Sequence, residues 1–397
     1  MKDSSSVRRI IRSCWVLFLL AAPLLFAETL YSPTWGFSIS PPEGYSYKGG
    51  DGKNRFSFSF EPRAPANLDI RIYDGGTFDS VEDLALDIQK RLSSQGEQEP
   101  FVYRSRKALL MELSFVLNGK QQSGWGLCIE LDSRNGTKKP FMAALAYGDK
   151  AIQELLNFHL SALDSIIPGA EDSLAPGPIS IYAFPEGEKK DTKIAILPAK
   201  AMLDPNAALA CKTTVDREFA VLSAYQNDSL WKDAWIRFYR MIFRDSYERL
   251  ADVAFTIERN ISQQIDGQSM DRAKKNRYFA EQALAWVQQF RYERDLMGTD
   301  FVDLVTAATE GRGDCDSRAL LWAIILQHNN IKSAIMVSRD YSHAMGLALL
   351  EGGGARFTTG TGDTEQKWLV AETTAQVPLG LIGASVADPA KWIPVLF

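Results

Sequence analysis

The stretch that decides the fold of the C-terminal region is Gly311-Arg312-Gly313-Asp314-Cys315-Asp316-Ser317-Arg318-Ala319-Leu320-Leu321-Trp322. Glycines and an aspartate lead here into an apolar run that ends near Asn329 and Asn330, which is typical of a helix and its C-terminus. Cys315 is therefore predicted in the first turn of a helix. Unpaired backbone N–H groups and the helix dipole favour a thiolate there and lower the pKa of a cysteine. The charges of Asp314 and Asp316 oppose that shift.

Two strands are predicted downstream, over residues 342–349 and 367–374, with the glycine-rich loop 352–362 between them. If they pair antiparallel with His343 opposite Glu372, one face of the pair is apolar and ends in an imidazole beside a carboxylate.

Such a pair of side chains has a defined chemistry. A carboxylate bound to one ring nitrogen fixes the tautomer of the imidazole and leaves the other nitrogen to activate a thiol. The sequence thus offers Cys315 as nucleophile, His343 as base and Glu372 as the residue that orients the base.

This part of the chain resembles the transglutaminase-like superfamily, which has a papain-like core. The resemblance covers roughly residues 275–385. The segments that carry it are Ala285-Trp286-Val287-Gln288-Gln289-Phe290-Arg291-Tyr292, Gly313-Asp314-Cys315-Asp316 with Ala319-Leu320-Leu321, Tyr341-Ser342-His343-Ala344-Met345, and Glu372-Thr373-Thr374.

The resemblance implies thioester chemistry on protein or peptide amides, with Cys315 as nucleophile, His343 as base and Glu372 as the third member. Many members of the superfamily have aspartate in the last place. Hydrolysis, as in cysteine peptidases of the cell envelope, is the preferred expectation. Amine transfer, which crosslinks proteins, and a binding module without turnover are the alternatives. No cofactor is expected, and a helix cap is preferred over a calcium site for Asp314 and Asp316.

The composition excludes several other classes of function. The 397 residues carry 44 Lys and Arg against 49 Asp and Glu, a net charge of −5, so no general nucleic-acid footprint is indicated. There are only three histidines and four cysteines. Their spacing excludes motifs such as HExxH and Cys-x-x-Cys, and with them the corresponding zinc and redox sites.

The first 27 residues have the features of a secretory signal peptide. A short apolar run, residues 14–26, ends at Ala27, after which cleavage is predicted. The run is preceded by the basic residues Lys2, Arg8, Arg9 and Arg12. The protein is therefore expected to be exported to the periplasm or the extracellular space and not to be integral to a membrane after cleavage. An uncleaved anchor is the alternative.

Residues 28–167 are predicted to form a β-rich α/β sandwich domain with one inserted helix that begins after Ser80. Aromatic residues that alternate with serines, as in a half-buried strand, are Phe56, Phe58 and Phe60. The apolar stripe of the inserted helix is Leu84, Ile88 and Leu92. The domain resembles PsbP/Mog1-like domains in Trp35-Gly36-Phe37-Ser38-Ile39, Pro41-Pro42 and Leu163-Asp164-Ser165.

The fold class predicted for the whole chain is α+β. Residues 168–212 are predicted to be a linker with a hairpin between 179–184 and 193–197. Residues 213–397 are predicted to be a helical connector plus the transglutaminase-like domain. An aromatic stripe in the connector is expected to be core, and its members are Trp231, Trp235, Phe238, Tyr239, Ile242 and Phe243.

The other histidines and cysteines are assigned structural roles. His328 is expected to serve the C-terminal carbonyls of the Cys315 helix, and His159 to lie at the edge of a core. Cys128 and Cys211 are expected to be buried or joined in a disulfide, which would leave Cys315 as the free thiol.

Overall fold

The computed structural model describes residues 29–60, 65–133, 138–265, 269–294 and 299–397. The predicted signal peptide lies outside these ranges. Among the described residues the protein is a mixed α and β structure, and none of its helices is both long and apolar enough to span a bilayer.

The helices of the described residues are α1 Val81–Leu92, α2 Leu155–Asp164, α3 Pro178–Ala183, α4 Ala207–Ser223, α5 Trp231–Arg249, α6 Ala251–Gln264, α7 Arg272–Val287, α8 Leu304–Glu310 and α9 Cys315–His328. The strands are β1 Leu30–Tyr31, β2 Ser38–Ile39, β3 Tyr45–Gly50, β4 Arg55–Phe60, β5 Ala66–Tyr73, β6 Gln98–Tyr103, β7 Arg106–Leu117, β8 Lys120–Glu130, β9 Phe141–Asp149, β10 Lys190–Lys193, β11 Lys200–Leu203, β12 Arg291–Tyr292, β13 Arg312–Gly313, β14 Ser333–Ser338, β15 His343–Ala348, β16 Arg356–Thr359, β17 Gln366–Ala371 and β18 Ile393–Leu396.

The N-terminal part is built on a seven-stranded antiparallel sheet with strand order β3-β4-β5-β9-β8-β7-β6. Helix α2 packs on one face of this sheet and α1 on the other. The predicted alternation in β4 is confirmed, since its three phenylalanines, Phe56, Phe58 and Phe60, are all buried on the α2 face. A strand buries every second side chain, so alternation of this kind is sufficient to place one face against a helix.

The inserted helix begins as predicted. The Ser80 side chain accepts a hydrogen bond from the backbone N–H of Asp83 and caps α1. Leu84 and Ile88 are buried against the sheet.

The predicted hairpin in the linker is wrong in both halves, since residues 194–197 lie between β10 and β11 and not in a strand. Residues 179–183 lie in helix α3, because Pro178 occupies the first helical turn and the Asp164 carboxylate caps it. Asp164 Oδ1 accepts hydrogen bonds from the backbone N–H groups of Ile179 at 2.9 Å and Ser180 at 3.0 Å. The hairpin that does form joins β10 to β11, with Lys190 opposite Leu203.

Buried charges join α2 and the segment after it to α4 and α5. Arg217 contacts both Asp164 and Glu218, and Arg237 donates to Glu218 at 2.7 Å. Arg244 donates to three backbone carbonyls of the segment after α2, at 2.8 to 3.0 Å. These side chains are nearly inaccessible to water, so each charge depends on its partners for compensation.

The C-terminal part contains a five-stranded antiparallel sheet of order β16-β17-β15-β14-β18, with α9 packed on β14 and β15. The fully buried ring of Trp322 in α9 lies against Gly346 in β15. A Cβ atom on Gly346 would stand 2.5 Å from Trp322 Cε3, so glycine at this position lets the helix approach the strand. This packing brings the beginning of α9 close to the beginning of β15.

Candidate active site

Cys315 is the first residue of α9, as the sequence predicts. Asp314 is the N-cap, and its Oδ1 accepts hydrogen bonds from Ser317 N at 2.8 Å and Ser317 Oγ at 2.6 Å. The expected capping role therefore belongs to Asp314 rather than Asp316. The backbone N–H of Cys315 is one of the four that the start of a helix leaves without an intrahelical acceptor.

His343 and Glu372 lie side by side, although the predicted register between their strands is wrong. Leu347 pairs with Val370. In this register the position opposite His343 lies two residues beyond Glu372. A shift of two residues keeps every side chain on its original face because side chains alternate along a strand. Glu372 is consequently diagonal to His343, and His343 Nε2 lies 2.8 Å from Glu372 Oε2.

The Glu372 side chain is held on both sides. Its other oxygen, Oε1, accepts hydrogen bonds from Thr374 N at 2.8 Å and Thr374 Oγ1 at 2.6 Å. Burial raises the pKa of Glu372, but the hydrogen bonds from His343 and Thr374 outweigh it and hold this pKa below its ordinary value. An ionised carboxylate only accepts, so the ring hydrogen is on Nε2 of His343 and Nδ1 is left as an acceptor.

The thiol of Cys315 lies beside the start of β15. The backbone N–H of Ala344, the residue after His343, donates to the Cys315 sulfur. The thiol itself donates to Asp316 Oδ1, with Sγ and Oδ1 3.7 Å apart. Cys315 is only 6% exposed, so the sulfur is almost completely removed from water.

The expectation of a lowered cysteine pKa is wrong for this environment. Burial, followed by the charges of Asp316 and Asp314, raises the pKa of Cys315 well above its ordinary value, and the N–H of Ala344 opposes this only in part. Burial and mutual repulsion also raise the pKa of Asp314 to about 7, and burial raises that of Asp316. The helix start, which lowers the pKa of Cys315, is therefore opposed by two nearby carboxyl groups that raise it.

Three residues of the site escaped the sequence reasoning. Tyr239 of α5 hydrogen-bonds Asp316, although its place in an aromatic stripe indicated only a core residue. Gln288, which follows α7, donates to the backbone carbonyl of Glu372 at 2.8 Å. The Trp392 ring lies 6.2 Å from the His343 ring in an edge-on arrangement, and no motif singled it out.

The remaining histidines and cysteines lie away from this cluster. His328 Nε2 lies 2.9 Å from the carbonyl oxygen of Tyr247 on α5, and not on its own helix as expected. His159 is deeply buried instead of lying at a core edge. Cys128 and Cys211 are buried free thiols, so the expected alternative of a disulfide is wrong. Among the described residues, no group of three or more His, Cys, Asp or Glu side chains is placed to hold a metal ion.

Comparison with known proteins finds only weak structural similarity. No protein-family model matches the sequence, and no curated protein is significantly similar to it. The chain is weakly similar to the structure of LpqN, involved in cell envelope biogenesis of Mycobacterium tuberculosis, with 12% identity and a TM-score of 0.28 over 36% of this chain and 90% of that one. A structure from Bacteroides thetaiotaomicron VPI-5482 is 11% identical, with a TM-score of 0.25 over 61% of this chain and 80% of that one. Neither likeness assigns a family or a function.

Proposed function

We propose that this protein is an exported transglutaminase-like thiol enzyme in which Cys315, His343 and Glu372 form a catalytic triad. The observation that carries the proposal is the 2.8 Å contact between His343 Nε2 and Glu372 Oε2 at the point where the start of α9 meets the start of β15. A nucleophile, a base and a group that orients the base are thereby supplied by three separate elements.

The proposed reaction begins when Cys315 Sγ attacks the carbonyl carbon of an amide. The thiol proton passes to His343 Nδ1, and the imidazolium so formed is stabilised by the Glu372 carboxylate. His343 then returns this proton to the leaving amine as the C–N bond breaks, which leaves a thioester on Cys315. Water attacks the thioester, His343 takes a proton from it, and a carboxylic acid and the free thiol are released.

The negative charge that develops on the carbonyl oxygen needs a donor. The backbone N–H of Cys315 suits this role, since it begins a helix and has no intrahelical acceptor. A carbonyl bound there would lie at the positive end of the helix dipole, next to the sulfur that attacks it.

Protein or peptide amides of the cell envelope are the proposed substrates, with hydrolysis preferred over transfer to an amine. The resemblance of residues 275–385 to the transglutaminase-like superfamily and the signal-peptide pattern of residues 1–27 support this choice. Transfer to an amine would use the same thioester, with the amine replacing water.

A binding module that has lost turnover is the second candidate. The specific observation in its favour is that the thiol donates to Asp316 and is nearly buried, while its pKa is raised. A nucleophile held in its protonated form reacts slowly.

Acylation by p-nitrophenyl acetate separates the two candidates. For the enzyme, we expect a burst of p-nitrophenolate equal to the enzyme concentration, a hydroxylamine-sensitive acetyl group on the Cys315 peptide, and slow turnover by water. The variant His343→Ala is expected to lower the burst rate by about 100-fold or more, because a general base contributes at least that much.

Cys315→Ser and the distant variant Cys128→Ser serve as a matched pair of controls. The first should abolish the burst, and the second should leave it unchanged if the protein remains folded. Acetylation of Cys315 no faster than that of glutathione, together with an unchanged rate in His343→Ala, would reject the enzyme in favour of the binding module.

A further inference from the structure

Asp316 occupies a central position in the site that the triad alone does not explain. It is next to Cys315 in the first turn of α9, and its Oδ1 accepts a hydrogen bond from the thiol, with Sγ 3.7 Å away. The hydroxyl group of Tyr239 from α5 also donates a hydrogen bond to it. Its carboxylate also interacts electrostatically with His343 on β15. The thiol therefore donates to Asp316, whereas the proposed triad requires it to give its proton to His343.

We infer that Asp316, positioned by Tyr239, restrains Cys315 by holding its proton, and that the thiol becomes a nucleophile when Asp316 is neutral. This inference rests on the proposed function, because it concerns the same sulfur and the same base. It assigns a positioning and regulatory role to two residues outside the triad.

The restraint follows from the charge next to the sulfur. Moving the thiol proton to His343 leaves a thiolate within contact distance of the Asp316 carboxylate, and two adjacent negative charges repel strongly in a site that excludes water. When Asp316 carries a proton, the same oxygen can donate a hydrogen bond to the thiolate. Proton transfer from Cys315 to His343 Nδ1 then creates an ion pair, and the uncharged Asp316 does not oppose it.

Titration of Asp316 depends on the charges that surround it. Burial raises its pKa, while the hydrogen bonds of Tyr239 and Cys315 and the positive fields of His343 and Arg294 lower it. Asp314, the N-cap residue two positions before Asp316, is repelled by its charge and has a pKa of about 7. The charged and titratable groups that face the pair are Tyr239 on α5, Arg294 and Asp300 in the segment after β12, Arg318 on α9 and His343 on β15.

A restrained thiol predicts an unusual pH dependence. An ordinary cysteine becomes more reactive as the pH rises, because its thiolate fraction increases. Here Asp314, with a pKa of about 7, and Asp316, whose pKa is raised by burial, lose protons as the pH rises, so the restraint strengthens. Reactivity of Cys315 is consequently expected to be highest on the acid side and to fall towards neutrality.

The test is the rate at which iodoacetamide alkylates Cys315 in the full chain, measured from about pH 5 to pH 9 by mass spectrometry of the Cys315 peptide. Asp316→Asn removes the charge and keeps the shape, so the rate at neutral pH should rise by about tenfold for each unit by which the thiol pKa falls. Tyr239→Phe removes the donor that favours the ionised carboxylate and should give a smaller rise. Asp340→Asn removes one negative charge from an exposed position and should change nothing.

The outcomes separate the restraint from the triad. If Asp316→Asn leaves the rate and its pH profile unchanged while His343→Ala lowers the rate, the restraint is wrong and the triad stands. If Asp316→Asn raises the rate and His343→Ala has no effect in either background, the thiol is restrained but His343 is not its base. A lower rate in a folded Asp316→Asn protein, checked by its circular dichroism and melting temperature, would overturn the inference directly.

Discussion

His343 Nε2 and Glu372 Oε2 lie 2.8 Å apart, although His343, at the start of β15, and Glu372, just after β17, are diagonal and not opposite. The diagonal spacing is bridged because Glu372 has a long side chain that is fixed at its far oxygen by Thr374.

Glu372→Gln should therefore separate orientation from charge. The amide keeps the shape of the side chain, but it cannot stabilise an imidazolium and does not impose the same tautomer on His343. We expect the acylation rate with p-nitrophenyl acetate to fall by about 100-fold, with an unchanged melting temperature. Glu365→Gln, on an exposed loop, is the matched control, and an equal rate in both variants would show that Glu372 has no catalytic role.

Gly346→Ala should destabilise the protein by about 1 to 3 kcal/mol, the usual cost of overpacking. The new methyl group would meet the buried ring of Trp322, which is enclosed on all sides and cannot turn aside. Gly353→Ala is the control, since nothing lies within 4 Å of its Cβ position. Urea denaturation measures both, and equal stabilities would contradict the close contact between α9 and β15.

Glu218→Gln should cost about 3 kcal/mol of unfolding free energy, because it leaves two buried guanidinium groups without their shared counter-charge. Glu218 contacts Arg217 at 2.9 Å and Arg237 at 2.7 Å and is almost fully buried. Asp216→Asn, two positions earlier and exposed, should cost less than about 1 kcal/mol. Denaturant titration of both variants tests this, and a small loss for Glu218→Gln would mean that water reaches the cluster.

His159 should make stability depend on pH. Burial lowers its pKa to about 4 from an ordinary 6.5, and its Nε2 has no partner among the described residues. The unfolded chain binds the proton more tightly, so the stability present above the unfolded pKa is lost as the pH falls towards 4. Between about pH 7 and pH 5 the loss from this residue is about 2 kcal/mol.

The variant His159→Leu isolates that contribution. Its stability should fall less than that of the unmodified protein over the same pH range, with the difference measured by urea denaturation at each pH. Parallel curves for the two proteins would show that His159 is protonated in the folded state.

Features fixed by neighbouring residues could be predicted from the sequence. The alternating phenylalanines of β4, the Ser80 cap and the helix start at Cys315 each depend on a few adjacent positions. The face shared by His343 and Glu372 was also predictable, because alternation sets the face even where the register is wrong.

Features that depend on residues distant in the sequence could not be predicted from it. Helix α3 is capped by Asp164, which precedes it by a whole loop, and Tyr239 reaches Asp316 from another helix. Burial of the thiol likewise depends on the whole fold. It adds to the opposing charges of Asp314 and Asp316, which are adjacent in the sequence, and raises the pKa of Cys315.

The most direct test of the proposed triad is the alkylation rate of Cys315 by iodoacetamide near pH 6, compared between the unmodified protein and His343→Ala. The triad predicts a rate that falls by about 100-fold or more when the imidazole is removed, because His343 then no longer accepts the thiol proton. A rate no higher than that of free cysteine, and unchanged in a folded His343→Ala protein, would contradict it.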